Sequence, residues 1–164
     1  NRHKIRMRKY VDSNICFLEV KKKNNVGVTN KFRCSIDDFE TKLSPSSIKF
    51  IKINTNYSHV LNPVLSNTFN RFTLVNKKQP ERVTIDSQIL FKTDNSTKTL
   101  DKIVVIEIKQ EKGKKNTAIY KALKMKQIPI VSFSKYCVGI SNLIPSIKSN
   151  QFKEINLKLN KLHN

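Results

Sequence analysis

Two neighbouring stretches, KIRMRKY at residues 4–10 and FLEVK at residues 17–21, decide the fold class. In both stretches polar and apolar side chains alternate, and a period of two is typical of a β-strand with one buried face. The polar segment at residues 12–14 separates the two strands and predicts a hairpin. One face of this predicted pair carries Lys4, Arg6 and Arg8. The chain therefore contains an antiparallel pair of strands with a strongly cationic polar face.

The same alternation continues over the first two thirds of the chain. The spacer at residues 22–27 predicts a second hairpin, and polar turns or loops are predicted at residues 76–80 and 94–99. β-Branched, aromatic and aliphatic residues mark the strand segments. The predicted strands are residues 4–10, 16–23, 29–36, 64–75, 82–91 and 102–109.

Helices are predicted mainly in the last third. Residues 116–126 carry an apolar stripe and begin with Asn116 as a cap, and a helical pattern runs from about residue 151 to the end. A short capped helix is also predicted at residues 37–43, irregular structure at 44–57, and a strand-like apolar stretch at 130–133. Strands first and helices after predict an α+β fold with an antiparallel sheet.

The net charge of +20, from 32 Lys and Arg against 12 Asp and Glu, favours a polyanionic partner. Nucleic acid, an anionic membrane and phosphate chains all meet that description. The three cysteines are widely separated and the three histidines form no ligand pair, which argues against a disulfide framework or a zinc site. No apolar run is long enough to span a membrane. We therefore expect an intracellular, cytoplasmic protein.

Side chains two residues apart bring cations, with isolated carboxylates, to one face of almost every predicted strand. A solvated sheet face shows the same alternation, but these faces are rich in Arg, and the predicted helices can cover the apolar side. We therefore predict one domain over residues 1–164: an antiparallel β-barrel, or tunnel, with a charged lumen and the C-terminal helix packed outside. Arg and Lys would bind phosphate oxygens there, and carboxylates would suit a divalent metal. The residues grouped in this way are Lys4, Arg6, Arg8, Glu19, Lys21, Lys31, Arg33, Arg71, Arg82, Asp86, Glu107 and Lys109.

The motifs along the chain resemble the VTC (vacuolar transporter chaperone) domain, the catalytic domain of polyphosphate polymerases in the triphosphate tunnel metalloenzyme superfamily. The resemblance covers about residues 3–140. It departs from the family at Phe69, where a tyrosine is usual, and it implies further tunnel strands upstream of residue 1. The matching motifs, in the family's order, are KIRMRKY at 4–10, FLEVK at 17–21, FNR at 69–71, RVTID at 82–86, VIEIK at 105–109, and FSKY at 133–136 with Gly139.

The resemblance implies transfer of the γ-phosphate of ATP to a polyphosphate chain with a divalent metal, Mn²⁺ or Mg²⁺. Nucleic acid is not expected as a partner. Together with the face pattern, it assigns three sets of residues. The candidate catalytic residues are Arg6, Arg8, Arg71, Arg82 and Lys135. The candidate substrate-binding residues are Lys4, Lys21, Lys31, Arg33, Lys109 and Ser134. The candidate metal ligands are Glu107 and Glu19.

Other functions stay open at this point. A tunnel triphosphatase differs only in using water as the attacking group, and a non-catalytic module for polyphosphate or inositol phosphates would use the same cations without a metal. Nucleic-acid binding predicts exposed aromatic residues among the basic ones, whereas the aromatic residues here mostly occupy strand positions.

Overall fold

The structure is a computed structural model that describes residues 2–57, 59–111 and 117–163. The chain divides into two compact units, Asn1–Pro63 and Val64–Asn164, here called unit 1 and unit 2. Antiparallel sheets and four α-helices make up the described part, so the predicted α+β class is confirmed.

Unit 1 contains a three-stranded antiparallel sheet in the order β1-β2-β3. The strands are β1 (Arg2–Tyr10), β2 (Ile15–Lys23) and β3 (Thr29–Ile36). Both predicted hairpins are therefore confirmed. On the apolar face, Leu18 and Val20 are fully buried and pack with Ile51 of the helix that follows. The opposite face carries most of the lysines and arginines of these strands.

That helix, α1 (Pro45–Thr55), lies where irregular structure was predicted, and the predicted helix at residues 37–43 is wrong. Ser44 caps α1 by accepting a hydrogen bond from the Ser47 N–H, and proline stands in its first turn, where a missing N–H costs nothing. Glu40, read as part of the preceding helix, instead accepts hydrogen bonds from Ser44 and Ser47. The acidic segment at residues 37–43 thus supports the start of a helix without being one.

Unit 2 is built around the long strand β5 (Arg82–Lys92). It pairs along one edge with β4 (Ser66–Val75). Along the other edge it pairs with β7 (Val105–Lys109) near its start and with β6 (Thr97–Leu100) near its end. Strand β6 begins inside the segment predicted as a loop, and β7 starts three residues later than predicted, after a turn at residues 101–102.

A bulge between Thr68 and Asn70 shifts the register of β4 against β5. Before the bulge along β4, Asn67 lies opposite Phe91. After the bulge, Arg71 lies opposite Asp86. Because Asn67 and Arg71 share a face of β4, the bulge puts buried Phe91 and buried Asp86 on the same face of the sheet. The apolar core of unit 2 and its charged residues therefore lie side by side.

The helices of unit 2 are α2 (Ala118–Met125), α3 (Lys135–Leu143) and α4 (Lys153–His163), the last preceded by the 3-10 turn Asn150–Phe152. The first and the last were predicted, although the proposed cap Asn116 lies outside the described residues. Helix α3 was not predicted, and the stretch at residues 130–133 is not a strand.

Helix α3 lies close to the sheet because Gly139 has no side chain: a Cβ there would lie 2.6 Å from Leu65 Cδ2 and 2.9 Å from Phe91 Cδ1. Leu159 of α4 is buried in the same core, which also contains Phe91 and Val138. Helix α4 thus packs on the sheet of unit 2, and its predicted place outside a barrel stays a prediction, since the described strands close no barrel.

The described strands form two open sheets and no closed barrel, so the tunnel and the single domain over residues 1–164 stay predictions. Among the described helices, none combines the length and the apolar character that crossing a bilayer requires.

Candidate phosphate-binding site

The polar side of the sheet in unit 1, called here the cationic face, carries eight cations and one carboxylate. The antiparallel register places them in rows across the three strands, since side chains directly opposite each other share a face. The members of the cationic face are Arg2, Lys4, Arg6, Arg8, Lys21, Lys23, Lys31, Arg33 and Glu19.

One row of the cationic face consists of three lysines. Lys4 lies opposite Lys21, and Lys21 lies opposite Lys31. Like charges directly opposite each other in a sheet are destabilising, by about 0.2–1 kcal/mol per pair. Burial, followed by the charges of Arg6 and Lys31, lowers the pKa of Lys21 from its usual 10.5 to about 8. This row is therefore electrostatically unfavourable in the free protein.

The next row contains Arg6, Glu19 and Arg33. Arg6 binds the Glu19 carboxylate through Nε at 2.6 Å and Nη2 at 2.5 Å. Burial alone would raise the pKa of Glu19, but the hydrogen bond and charge of Arg6 outweigh it, and this pKa lies below its usual value. Arg33 packs over the Phe17 ring, 4.7 Å from its centroid. Glu19 therefore orients one arginine of the cationic face and stays ionised at neutral pH.

An open pocket of about 250 Å³ lies over these two rows. Its polar lining comes from Glu19, Lys21, Lys31 and Arg33. A small anionic group that enters this pocket meets three cationic side chains and the Glu19 carboxylate.

Lys21 should take up a proton when polyphosphate binds near pH 8. A bound polyanion outweighs the repulsion from Arg6, Lys31 and Lys4 and raises the pKa of Lys21 from about 8. Linkage then requires the affinity to fall as pH rises through about 8, where free Lys21 loses its proton. Calorimetry in two buffers of different ionisation enthalpy measures this uptake. An identical heat in both buffers at that pH would contradict the expectation.

In the ligand-free protein, the same lowered pKa of Lys21 makes stability depend on pH in the direction opposite to that of the affinity. Because the pKa of Lys21 is about 8 when folded and near 10.5 in an unfolded chain, the unfolded state binds more protons between these values. The contribution of Lys21 to the free energy of unfolding therefore rises as pH increases from about 8 to 10.5. Stability and affinity should thus move in opposite directions with pH.

In unit 2, the predicted residues that belong to strands lie on one face of the sheet, in three rows across β4, β5 and β7. The rows are Arg71–Asp86–Val105, Thr73–Thr84–Glu107 and Val75–Arg82–Lys109. Arg82 is exposed and lies directly opposite Lys109, which again puts two like charges side by side. This face therefore combines cations with the half-exposed carboxylate of Glu107.

Buried Asp86 connects two of the predicted cations. Arg71 donates Nε to Oδ1 at 2.6 Å and Nη2 to Oδ2 at 2.7 Å, and the Lys135 ammonium donates to Oδ2. Both cations also lie over the Phe69 ring, with the Arg71 guanidinium carbon 5.1 Å and Lys135 Nζ 4.5 Å from its centroid. Lys135 is the first residue of α3, so one carboxylate joins that helix to β4 and β5.

The chain matches a known protein family over most of its length. The model of the VTC domain matches residues 1–144, which is most of the chain. The chain belongs to the VTC domain family. Members of this family are associated with polyphosphate-metabolising activity. Searches of curated proteins and of solved structures returned no match.

The sequence predicts a divalent metal at Glu107 or Glu19, and the carboxylates of the two charged faces differ in how well they could bind one. Glu19 and Asp86 are held by short bonds to arginine or lysine. Glu107 makes one long contact, 3.4 Å to the Lys109 ammonium, and its side chain is 51 % exposed. No group of three or more His, Cys, Asp or Glu side chains suited to a metal occurs in the described part of the chain. A single carboxylate fits Mg²⁺ or Mn²⁺ when substrate phosphates supply further ligands.

The sequence identified most members of the two charged faces of this VTC domain but missed Arg2. The register places Arg2 on the cationic face, directly opposite Lys23. Asp86 was grouped with Arg82 on β5, but its link to Lys135 joins residues 49 positions apart. Ser134 caps α3, with its Oγ accepting from the Cys137 N–H at 3.4 Å. The predicted functional roles of all these residues stay predictions.

Proposed function

We propose that this VTC domain protein is an ATP-dependent, divalent-metal-dependent polyphosphate polymerase that works in a cationic tunnel. The row Lys4–Lys21–Lys31 carries the proposal, together with its neighbours on the cationic face. Three lysines in direct register have no structural benefit, since they repel one another. A ligand with closely spaced negative charges would offset this repulsion, and a chain of phosphates is such a ligand.

In the proposed reaction the terminal phosphate of the polymer attacks the γ-phosphorus of ATP. A new P–O bond forms to the polymer end, the bond between the γ-phosphorus and the β–γ bridging oxygen breaks, and ADP leaves with the bonding electrons. Phosphoryl transfer needs mainly positioning and stabilisation of negative charge. Arg6, Arg8 and Lys21 would hold phosphates in unit 1, and Arg71, Arg82 and Lys135 would do so in unit 2.

The metal belongs to the same proposal. Glu107 is the carboxylate best suited to hold it, with Glu19 as the second candidate ligand. A bound Mn²⁺ or Mg²⁺ would neutralise charge on the phosphate oxygens. The surrounding lysines and arginines would orient the phosphates and keep the reacting groups together. Glu107 is half-exposed, which leaves room for substrate oxygens.

The test is to incubate the intact protein with ATP and Mn²⁺ and to follow both ADP release and polymer formation on a gel. We expect ADP together with a ladder of polyphosphate chains. Free phosphate without a ladder would indicate a tunnel triphosphatase. Tight binding of polyphosphate without turnover would leave a binding module. Tight RNA binding with indifference to polyphosphate would contradict all three.

A further inference from the structure

Asp86 is the most buried carboxylate in the described part of the chain, with 1 % of its surface exposed. Both of its oxygens are bound to cations: Oδ1 to Arg71, and Oδ2 to Arg71 and Lys135. The two cations come from different elements, β4 and α3. The carboxylate on β5 is thus the common partner of both.

The hydrogen-bonded ion pairs hold Arg71 and Lys135 firmly to Asp86. Burying a carboxylate disfavours its charged form, but the hydrogen bonds from Arg71 and Lys135 outweigh that penalty and lower the pKa of Asp86. Removing one partner of a buried ion pair leaves a charge uncompensated and is strongly unfavourable. Neither cation can therefore leave the carboxylate without cost.

Phe69 restrains the same two cations through its ring. Lys135 Nζ and the Arg71 guanidinium carbon are 4.5 and 5.1 Å from the ring centroid, within the range of cation–π attraction. Each cation is thus held by the carboxylate and by the aromatic ring. Without Asp86, two positive charges would compete for one ring and repel each other.

Helix α3 is tied to the sheet at a second point. Four residues after Lys135, Gly139 lies against Phe91 at a distance that admits no side chain. The helix is therefore fixed by packing, and its first residue is fixed by charge. Lys135 cannot shift without disturbing both attachments.

We propose that Asp86 is a positioning residue, which holds Arg71 and Lys135 as one preassembled cationic pair for the phosphates of the substrate. The inference rests on the proposed polymerase function, in which these two cations contact phosphate. Asp86 itself contacts no substrate, because its oxygens are buried and occupied. Its contribution is to fix two donors from two elements before the substrate arrives.

The test is Asp86→Asn in the intact protein, with steady-state kinetics for ATP and a stability measurement. We expect kcat to fall about tenfold with a smaller change in KM, because a misplaced donor is missed mainly in the transition state. Glu40→Gln is the matched control, since Glu40 accepts hydrogen bonds from Ser44 and Ser47 at the start of α1. This control should lose stability and keep its kinetics.

A double-mutant cycle separates positioning from general destabilisation. If Asp86 acts through Lys135 as well as Arg71, adding Asp86→Asn to Lys135→Met should lower kcat by a smaller factor than Asp86→Asn does in the wild type, whereas independent effects would multiply. Should Asp86→Asn fail to fold, Asp86→Glu keeps the charge but moves it by one methylene. That variant should also lower kcat while its stability stays closer to that of the wild type.

Three results would overturn the inference. Unchanged kcat and KM in a folded Asp86→Asn, or multiplicative effects in the cycle, would remove the positioning role and leave the polymerase function standing. A wild-type protein that forms no polyphosphate would overturn the function and this role together.

Discussion

Lys21→Met is expected to make the ligand-free protein more stable and its binding of tripolyphosphate weaker. Methionine keeps an apolar stem of similar length and removes the charge that Lys4 and Lys31 oppose from either side. Relief of two like-charge pairs should add about 0.4–2 kcal/mol to the free energy of unfolding. Loss of a charged hydrogen bond to phosphate, worth about 1.5–3 kcal/mol, should weaken binding by roughly 10- to 100-fold.

The opposite signs make this substitution informative. Lys22→Met is the matched control, because Lys22 neighbours Lys21 on the same strand but lies on the other face, opposite His3 and Asn30. Chemical denaturation and calorimetry with tripolyphosphate measure the two quantities separately. If Lys21→Met lost stability and bound tripolyphosphate as tightly as Lys22→Met, the cationic face would not be a phosphate site.

The strands of unit 1 could be predicted closely because each signal is local. Alternation with a period of two marks β1 to β3, and the strand at Thr29–Ile36 was predicted with both of its ends. Helix α1 was missed although Ser44 and Pro45 are a recognisable start, since Glu40 and its neighbours resemble a helix start as well. The carboxylate and the serines act together across the boundary, which no single window of sequence shows.

The site divides in the same way. Which residues share a face follows from the period of a strand, so Lys21 and Glu19 could be grouped from the sequence. That Lys21 lies between Lys4 and Lys31 depends on register, which hairpin length only partly fixes. The pairing of Asp86 with Lys135 depends on where α3 packs. The local sequence therefore predicts which cations share a strand face, whereas their partners on other strands and helices depend on the tertiary structure.

The half-exposed carboxylate of Glu107 should be required for turnover. Replacing it with glutamine keeps the shape and removes the charge that would hold a divalent metal, so we expect turnover with Mn²⁺ to fall at least about 100-fold. Binding of polyphosphate without metal should be unchanged or tighter, since one negative charge among the cations is gone. ADP release, polymer formation and metal-free binding are the measurements.

Glu154→Gln is the control for Glu107→Gln, because Glu154 is an exposed carboxylate that pairs with Lys158 on α4, outside both charged faces. It should leave turnover and the dependence on Mn²⁺ unchanged. The reasoning depends on a contrast within the molecule: Glu19 and Asp86 are occupied by short bonds to cations, whereas Glu107 has one contact at 3.4 Å. Equal turnover in Glu107→Gln and the wild type would therefore remove the metal from this position and leave Glu19 as the remaining candidate ligand.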